Sequence, residues 1–166
     1  MNQESPPIVD ALAPAAASTA DISAFKQFVL AGGEVSAATL PGLVSRALSL
    51  SFAKVGGELV GVGAIKRPNQ SYHEKVFSKA KLSQRQAEFE FELGWVYTNA
   101  SARGKGVASS VVSSLVAALN GAPAYATSRT NNPHMHRVLQ KFGFVANGAP
   151  YASALNGPSI QLFLRE

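Results

Sequence analysis

Glu92-Leu-Gly-Trp-Val-Tyr-Thr-Asn-Ala-Ser-Ala-Arg-Gly-Lys-Gly-Val-Ala108 is the stretch on which the fold of this chain turns. Its first part belongs to an alternating run. Phe89, Phe91, Leu93, Trp95 and Tyr97 form one set, and Glu88, Glu90 and Glu92 lie on the opposite face, which predicts a strand over 88–98. Past Arg103-Gly-Lys-Gly106 the period becomes helical. Val107, Val111, Val112, Leu115, Val116 and Leu119 make an apolar stripe that Gly121 ends. A strand that enters a helix through a glycine turn presents free backbone N–H groups at the positive end of the helix dipole, which is an anion site. Gly104 and Gly106 allow a ligand close to the backbone, and Arg103 and Lys105 add two positive charges.

Two familiar phosphate loops do not fit. A P-loop needs Gly-Lys followed by Ser or Thr, and Gly106 follows Lys105 here. A dinucleotide fingerprint needs a third small glycine-like position, occupied here by Ser109, and an acidic residue about twenty positions on, which is missing.

Upstream, residues 1–20 are rich in Pro, Ala and Ser and read as a flexible tail, leaving 21–166 as one domain. Asp21 is the expected cap of a helix to about Leu30, with Gly32-Gly33 as the stop, and a second short helix is expected over 37–47. Residues 48–55 and 58–65 alternate about Gly56-Gly57, the pattern of a β-hairpin. Residues 66–88 form a polar, basic excursion with a short helix around 72–81. Downstream, 122–128 reads as a strand, and Asn132-Pro133 opens a helix that Gly143 stops. Residues 144–146 and 160–164 close the sheet around the loop 147–159. The order predicts an α/β (α+β) fold with a mixed, mostly antiparallel sheet flanked by helices.

Composition excludes several chemistries. The 166 residues contain no cysteine, so disulfides, thiolate metal sites and a cysteine nucleophile are out. His134 and His136, two apart on a helix, point to different faces and do not make an i, i+4 metal pair, so no metal is expected. No apolar run approaches the roughly 20 residues that span a bilayer, and Glu4 stands where a secretory leader carries positive charge, so a cytoplasmic protein is expected. The net charge of +5 is too modest to decide for nucleic acid, and no nucleic-acid-reading motif accompanies it.

Arg103-Gly-Lys-Gly-Val-Ala108 resembles the Arg/Gln-x-x-Gly-x-Gly/Ala pyrophosphate motif of the GNAT superfamily, and its place between strand and helix is also similar. Asn132-Pro-His-Met-His-Arg-Val-Leu-Gln-Lys-Phe-Gly-Phe144 looks like the later Asn-containing block of that family, which ends in Gly-Phe. The resemblance runs from about Ala47 to the C-terminus and implies an N-acetyltransferase that uses acetyl-CoA as co-substrate. It implies a pantetheine arm paired with the backbone of Val96, Tyr97 and Thr98, and a pyrophosphate near Arg103 on the amides of Gly104, Lys105, Gly106, Val107 and Ala108. Asn132 is then both an N-cap and a contact to the pantetheine. The amine attacks the thioester directly, with a backbone N–H near Val96 steadying the oxyanion.

A lysine-like amine is about 0.04% neutral at pH 7, a deprotonation cost of about 4.6 kcal/mol, so a base is useful. Glu90 and Glu92 stand close to where some members of the family carry a basic glutamate. Many relatives place an acidic tyrosine in the later helix, where this chain has Leu139; Tyr97, Tyr125 and Tyr151 are the remaining candidates, with Tyr151 in the 147–159 loop. Family resemblance assigns specificity to 32–39 and 147–159. The acceptor, a small-molecule or protein amine, stays open, as does homodimer formation through an edge strand. Two other readings stay open: a catalytically silent CoA-binding regulatory module, and a basic nucleic-acid-binding protein using Lys75, Lys79 and Lys81.

Overall fold

The computed structural model describes residues 5–166. In chain order its elements are β1 (Ile8–Leu12), α1 (Thr19–Ala31), α2 (Leu40–Ser45), β2 (Ser49–Val55), β3 (Glu58–Lys66), α3 (Gln70–Lys79), β4 (Phe91–Thr98), α4 (Val107–Ala118), β5 (Ala124–Arg129), α5 (Pro133–Lys141), β6 (Val145–Tyr151) and β7 (Ile160–Arg165). The strands make one sheet in the order β1-β2-β3-β4-β5-β7-β6. Every neighbouring pair is antiparallel except β4 and β5. The expected mostly antiparallel α/β architecture is the one observed.

The segment expected to be a flexible tail carries structure. Ile8–Leu12 pairs with β2 from Ile8↔Lys54 to Leu12↔Leu50. An edge strand needs only backbone partners along one side, a requirement that Ala/Pro-rich composition does not reveal. Residues 1–4 of that segment lie outside the described residues. The cap of α1 is Ser18, whose Oγ accepts from the Asp21 N–H at 3.0 Å; Asp21 itself sits in the first turn. The β2–β3 hairpin forms as expected, with Gly56 and Gly57 at φ 58° and 82°, the positive values a tight two-residue hairpin demands.

Two apolar layers sandwich the sheet. On one face, Val107, Val111, Val112 and Leu115 of α4 and Leu139 of α5 pack with Ile65, Leu93 and Phe163. On the other, Phe25 and Val29 of α1 pack on Phe52 and Val62, and Phe77 of α3 packs on Tyr125 and Leu162. The close seat of α4 depends on two glycines of β3. A Cβ on Gly61 would lie 2.4 Å from Val107 Cγ1, and one on Gly63 would lie 2.6 Å from Val111 Cγ1. Glycine inside a strand marks such a close approach. Here it brings the first turn of α4 down onto the sheet.

β4 departs from the alternating strand expected over 88–98. It starts at Phe91, because residues 83–88 close into a 3₁₀ turn in which Arg85 pairs with Glu88 at 3.1 Å. Within it, Val62 pairs with Tyr97 but Ala64 pairs with Gly94, so Gly63 faces both Trp95 and Val96. Trp95 takes φ 54°, a rare conformation for a bulky residue and the mark of a β-bulge. The bulge reverses the alternation. Phe91 and Leu93 face α4, whereas Trp95 and Tyr97 pack on the α1 side.

Candidate active site

β4 and β5 run parallel for only two pairs, Phe91↔Ala124 and Glu92↔Tyr125, and no pairing between them continues toward Thr98 and Arg129. The strands part where the bulge begins, and two adjoining hollows lie beside the gap. A groove of about 530 Å³ lies on the α4 side and a cavity of about 970 Å³ on the α1/α3 side. Val96, Tyr97, Arg103, Asn132 and Met135 line both.

The groove gathers the residues expected to hold a nucleotide-linked thioester. Val96, Tyr97 and Thr98 form its strand wall, and Arg103, Gly104, Gly106, Val107 and Ala108 its turn and helix start. Gly104 and Gly106 take φ 76° and 77°, so their identity is required by backbone conformation; space around both is open. No side chain caps α4, which leaves its first amides available to an anion. These features fit a pyrophosphate. Arg103 lies over the Tyr97 ring and donates from Nε to the Thr98 carbonyl at 3.2 Å. Lys105 stands between the two glycines but is not among the groove-lining residues. Asn132 lines the groove, and its Oδ1 accepts from the Met135 N–H at 3.1 Å, capping α5. His134 also lines it, while His136 turns inward, with Nε2 2.9 Å from the Arg129 carbonyl and its ring on Phe163.

The two candidate carboxylates separate. Glu90 is exposed in the turn before β4 and lines neither hollow, because the 3₁₀ turn ends the alternation that would have aligned it with Glu92. Glu92 is 2% exposed on the cavity floor. Lys66 Nζ lies 2.8 Å from its Oε1, and the Tyr72 hydroxyl donates to the same oxygen at 3.3 Å. Among the described residues, neither its Oε2 nor the buried Tyr125 hydroxyl, which senses the same carboxylate, makes a hydrogen bond of normal geometry. Lys66 also lies 4.8 Å above the Trp95 ring, so Trp95 borders the cavity and is not wholly core.

Three phenols sense this carboxylate. The charge of Glu92, against which its hydroxyl points, holds the phenol of the partly exposed Tyr72 above the usual tyrosine value. For Tyr125 and Tyr151 burial is the larger cause, with Glu92 adding to it. All three stay protonated at neutral pH, and the Tyr72 hydroxyl donates to Glu92. Tyr151 lines the cavity from the end of β6, which reaches further into the expected 147–159 loop than the sequence suggests. Leu139, at the position where a tyrosine was sought, is fully buried between α5 and the sheet.

Lys66, Tyr72, Glu34 and Arg129 line the candidate site and were missed by sequence reasoning. Lys66 faces Glu92 through the β3–β4 register, which is hidden by the long excursion between them. At the cavity mouth Arg129 bonds Glu34 with both Nε (2.9 Å) and Nη2 (3.2 Å), and the carbonyls of Asn156 and Pro158 at 2.9 Å each. It thereby ties together the two segments expected to set specificity.

A model of the acetyltransferase (GNAT) family matches residues 33–144. The chain belongs to the GNAT family. Its fold is shared with solved GNAT-type structures at low identity. Escherichia coli ElaA matches with 17% identity and a TM-score of 0.70 over 96% of this chain and 99% of that one. An acyl-CoA N-acyltransferase from Pseudomonas aeruginosa matches with 15% identity and a TM-score of 0.68 over 96% and 99%. A GNAT family acetyltransferase from Elizabethkingia anophelis, solved with acetyl-CoA bound, matches with 10% identity and a TM-score of 0.63 over 98% and 99%. No curated protein matches. Among the described residues of this GNAT chain no helix is long and apolar enough to cross a membrane, and no group of three His, Cys, Asp or Glu could hold a metal.

Proposed function

We propose that this GNAT chain transfers the acetyl group of acetyl-CoA to a primary amine by direct attack. The observation that carries the reading is the adjoining pair of hollows. An uncapped helix start with two αL glycines opens one, a buried carboxylate floors the other, and the parted strands β4 and β5 lie between.

Acetyl-CoA, when bound, supplies an activated thioester. The amides at the start of α4 hold its pyrophosphate, with Arg103 beside them, and the exposed backbone edge of Val96–Thr98 aligns the pantetheine. The bulge leaves backbone N–H groups at Trp95 and Val96 outside the regular ladder, and that of Val96 steadies the negative charge developing on the carbonyl oxygen. Glu92 takes the proton from the amine. Lys66 and Tyr72 hold its Oε1, leaving Oε2 to accept. Tyr151 serves as a hydrogen-bond donor and not as the acid. Transfer from a phenol of pKa 10 or more to a thiolate of about 8.5 runs uphill by at least about 2 kcal/mol.

The Lys66–Glu92 pair also favours a second reading, a CoA-binding module without turnover, because Lys66 and Tyr72 already occupy one oxygen of this carboxylate. Calorimetric titration of acetyl-CoA into wild type and Gly106→Glu tests the shared premise. Binding by the wild type and its loss in the variant supports the site, and no binding by folded wild type overturns the proposal. An amine screen on the binding-competent protein separates enzyme from module.

A further inference from the structure

The cavity has an excess of cations that the transfer chemistry does not use. Among the described residues, five cationic and two acidic side chains line it: Lys66, Lys75, Lys79, Arg103 and Arg129 against Glu34 and Glu92. Both acids are matched, Glu92 by Lys66 and Glu34 by Arg129. Arg103 lies on the groove side, bonded to the Thr98 carbonyl. That leaves Lys75 and Lys79. Among the described residues neither is paired with a carboxylate; Lys79 rests 5.9 Å over the Tyr151 ring.

Their placement follows from helix geometry. Tyr72, Lys75, Val76 and Lys79 stand at i, i+3, i+4 and i+7 of α3, and all four line the cavity. Two like charges four apart on a helix repel and destabilise it, so this wall carries an electrostatic cost that a bound anion would remove. The rest of the wall adds donors. Tyr72 and Tyr151 present protonated phenols, and the cavity-lining residues of the loop between β6 and β7 are Ser153, Ala154 and Leu155, all uncharged.

We propose that the acceptor is an amine that also carries an anionic group, a carboxylate or a phosphate, seated on Lys75 and Lys79 while its amine faces Glu92. This rests on the acetyltransferase reading and narrows its substrate class. A zwitterion satisfies both ends of the cavity. Polycations, including polyamines and lysine-rich peptide tails, meet unmatched positive charge at the mouth and are disfavoured. The basic excursion is thus a wall of the acceptor site.

The test uses the full chain with acetyl-CoA and paired acceptors that differ in one charge. α-Amino acids are set against their carboxamides, and aminoalkyl phosphates against the corresponding amino alcohols, which separates the two sources of negative charge. The expected kcat/KM ratio favours the anionic member of at least one series by about tenfold. That ratio shrinks as salt rises and vanishes or inverts in Lys75→Glu/Lys79→Glu. Acetyl-CoA affinity, measured by calorimetry on the same samples, stays within about twofold, because neither lysine lines the groove. Equal use of charged and neutral members, preference for cationic amines, or turnover of none by protein that binds acetyl-CoA overturns the proposal. Absence of acetyl-CoA binding overturns the acetyltransferase reading instead.

Discussion

Gly61→Ala adds a single methyl group on the buried face of β3, and the structure specifies what it meets. The new Cβ would stand 2.4 Å from Val107 Cγ1, while carbon contacts settle at about 3.5–4.0 Å, so about 1 Å must be absorbed. Val107 cannot readily rotate away, because a valine in a helix keeps one χ1 rotamer about 90% of the time. It is also the first residue of α4, so the helix start lifts from the sheet. Overpacking of this kind costs about 1–3 kcal/mol, or about 2–12 °C in Tm for a chain of this size. Displacing the amides proposed to hold the pyrophosphate should weaken acetyl-CoA binding about fivefold or more. The assay is a double-mutant cycle by thermal and denaturant unfolding, with calorimetry of acetyl-CoA on each protein. Val107→Ala alone should cost about 2 kcal/mol by lost burial. Combined with Gly61→Ala it should recover at least about 1 kcal/mol of the summed loss, because the added methyl occupies vacated space. Additivity to within about 0.5 kcal/mol, or a Gly61→Ala protein that binds acetyl-CoA as wild type does, would refute the claim that β3 glycines seat the cofactor turn.

Glu92→Gln keeps the shape of the cavity floor and removes its charge, and kcat should fall about 10²–10³-fold with acetyl-CoA affinity little changed. A folded variant with kcat within twofold of wild type would remove Glu92 from the mechanism. Burial lowers the His73 imidazole below its ordinary value of about 6.5, its ring stacked on Tyr125 at 5.3 Å and Nε2 without a partner. The folded state therefore binds fewer protons than the unfolded one, and stability contributed by the neutral ring is present above pH 6.5 and lost as pH falls toward the lowered pKa. Urea midpoints should decline as pH falls below about 6.5 and flatten in His73→Phe; an unchanged slope in the variant would place the acid sensitivity elsewhere.

The groove beside α4 was legible because its determinants are local. Gly104 and Gly106 are needed for their own positive φ, and the neighbouring strand and helix follow in sequence. Asn132 is similar, since its cap bond reaches only to Met135. The cavity on the α1/α3 side was not legible in the same way. Its carboxylate was a candidate, but the choice between Glu90 and Glu92 depended on a 3₁₀ turn and a bulge that side-chain alternation does not encode. Likewise, β1 was hidden in low-complexity sequence, because an edge strand is recruited by the backbone of β2 and not by its own side-chain pattern.

Sequence by itself determined the element order from α1 onward, the hairpin at Gly56-Gly57, the glycine turn that opens α4, the absence of thiol chemistry and the family. Each rests on residues within a few positions of one another, where backbone conformation and hydrogen bonding are local. Only the tertiary structure decided that Lys66 meets Glu92, that Tyr72 and the α3 lysines wall the cavity, and that Arg129 ties Glu34 to the β6–β7 loop. Those contacts join residues far apart in the chain. Strand register, the splay of β4 from β5 and the packing of α3 bring them together, and these are set by the whole sheet and its two apolar layers.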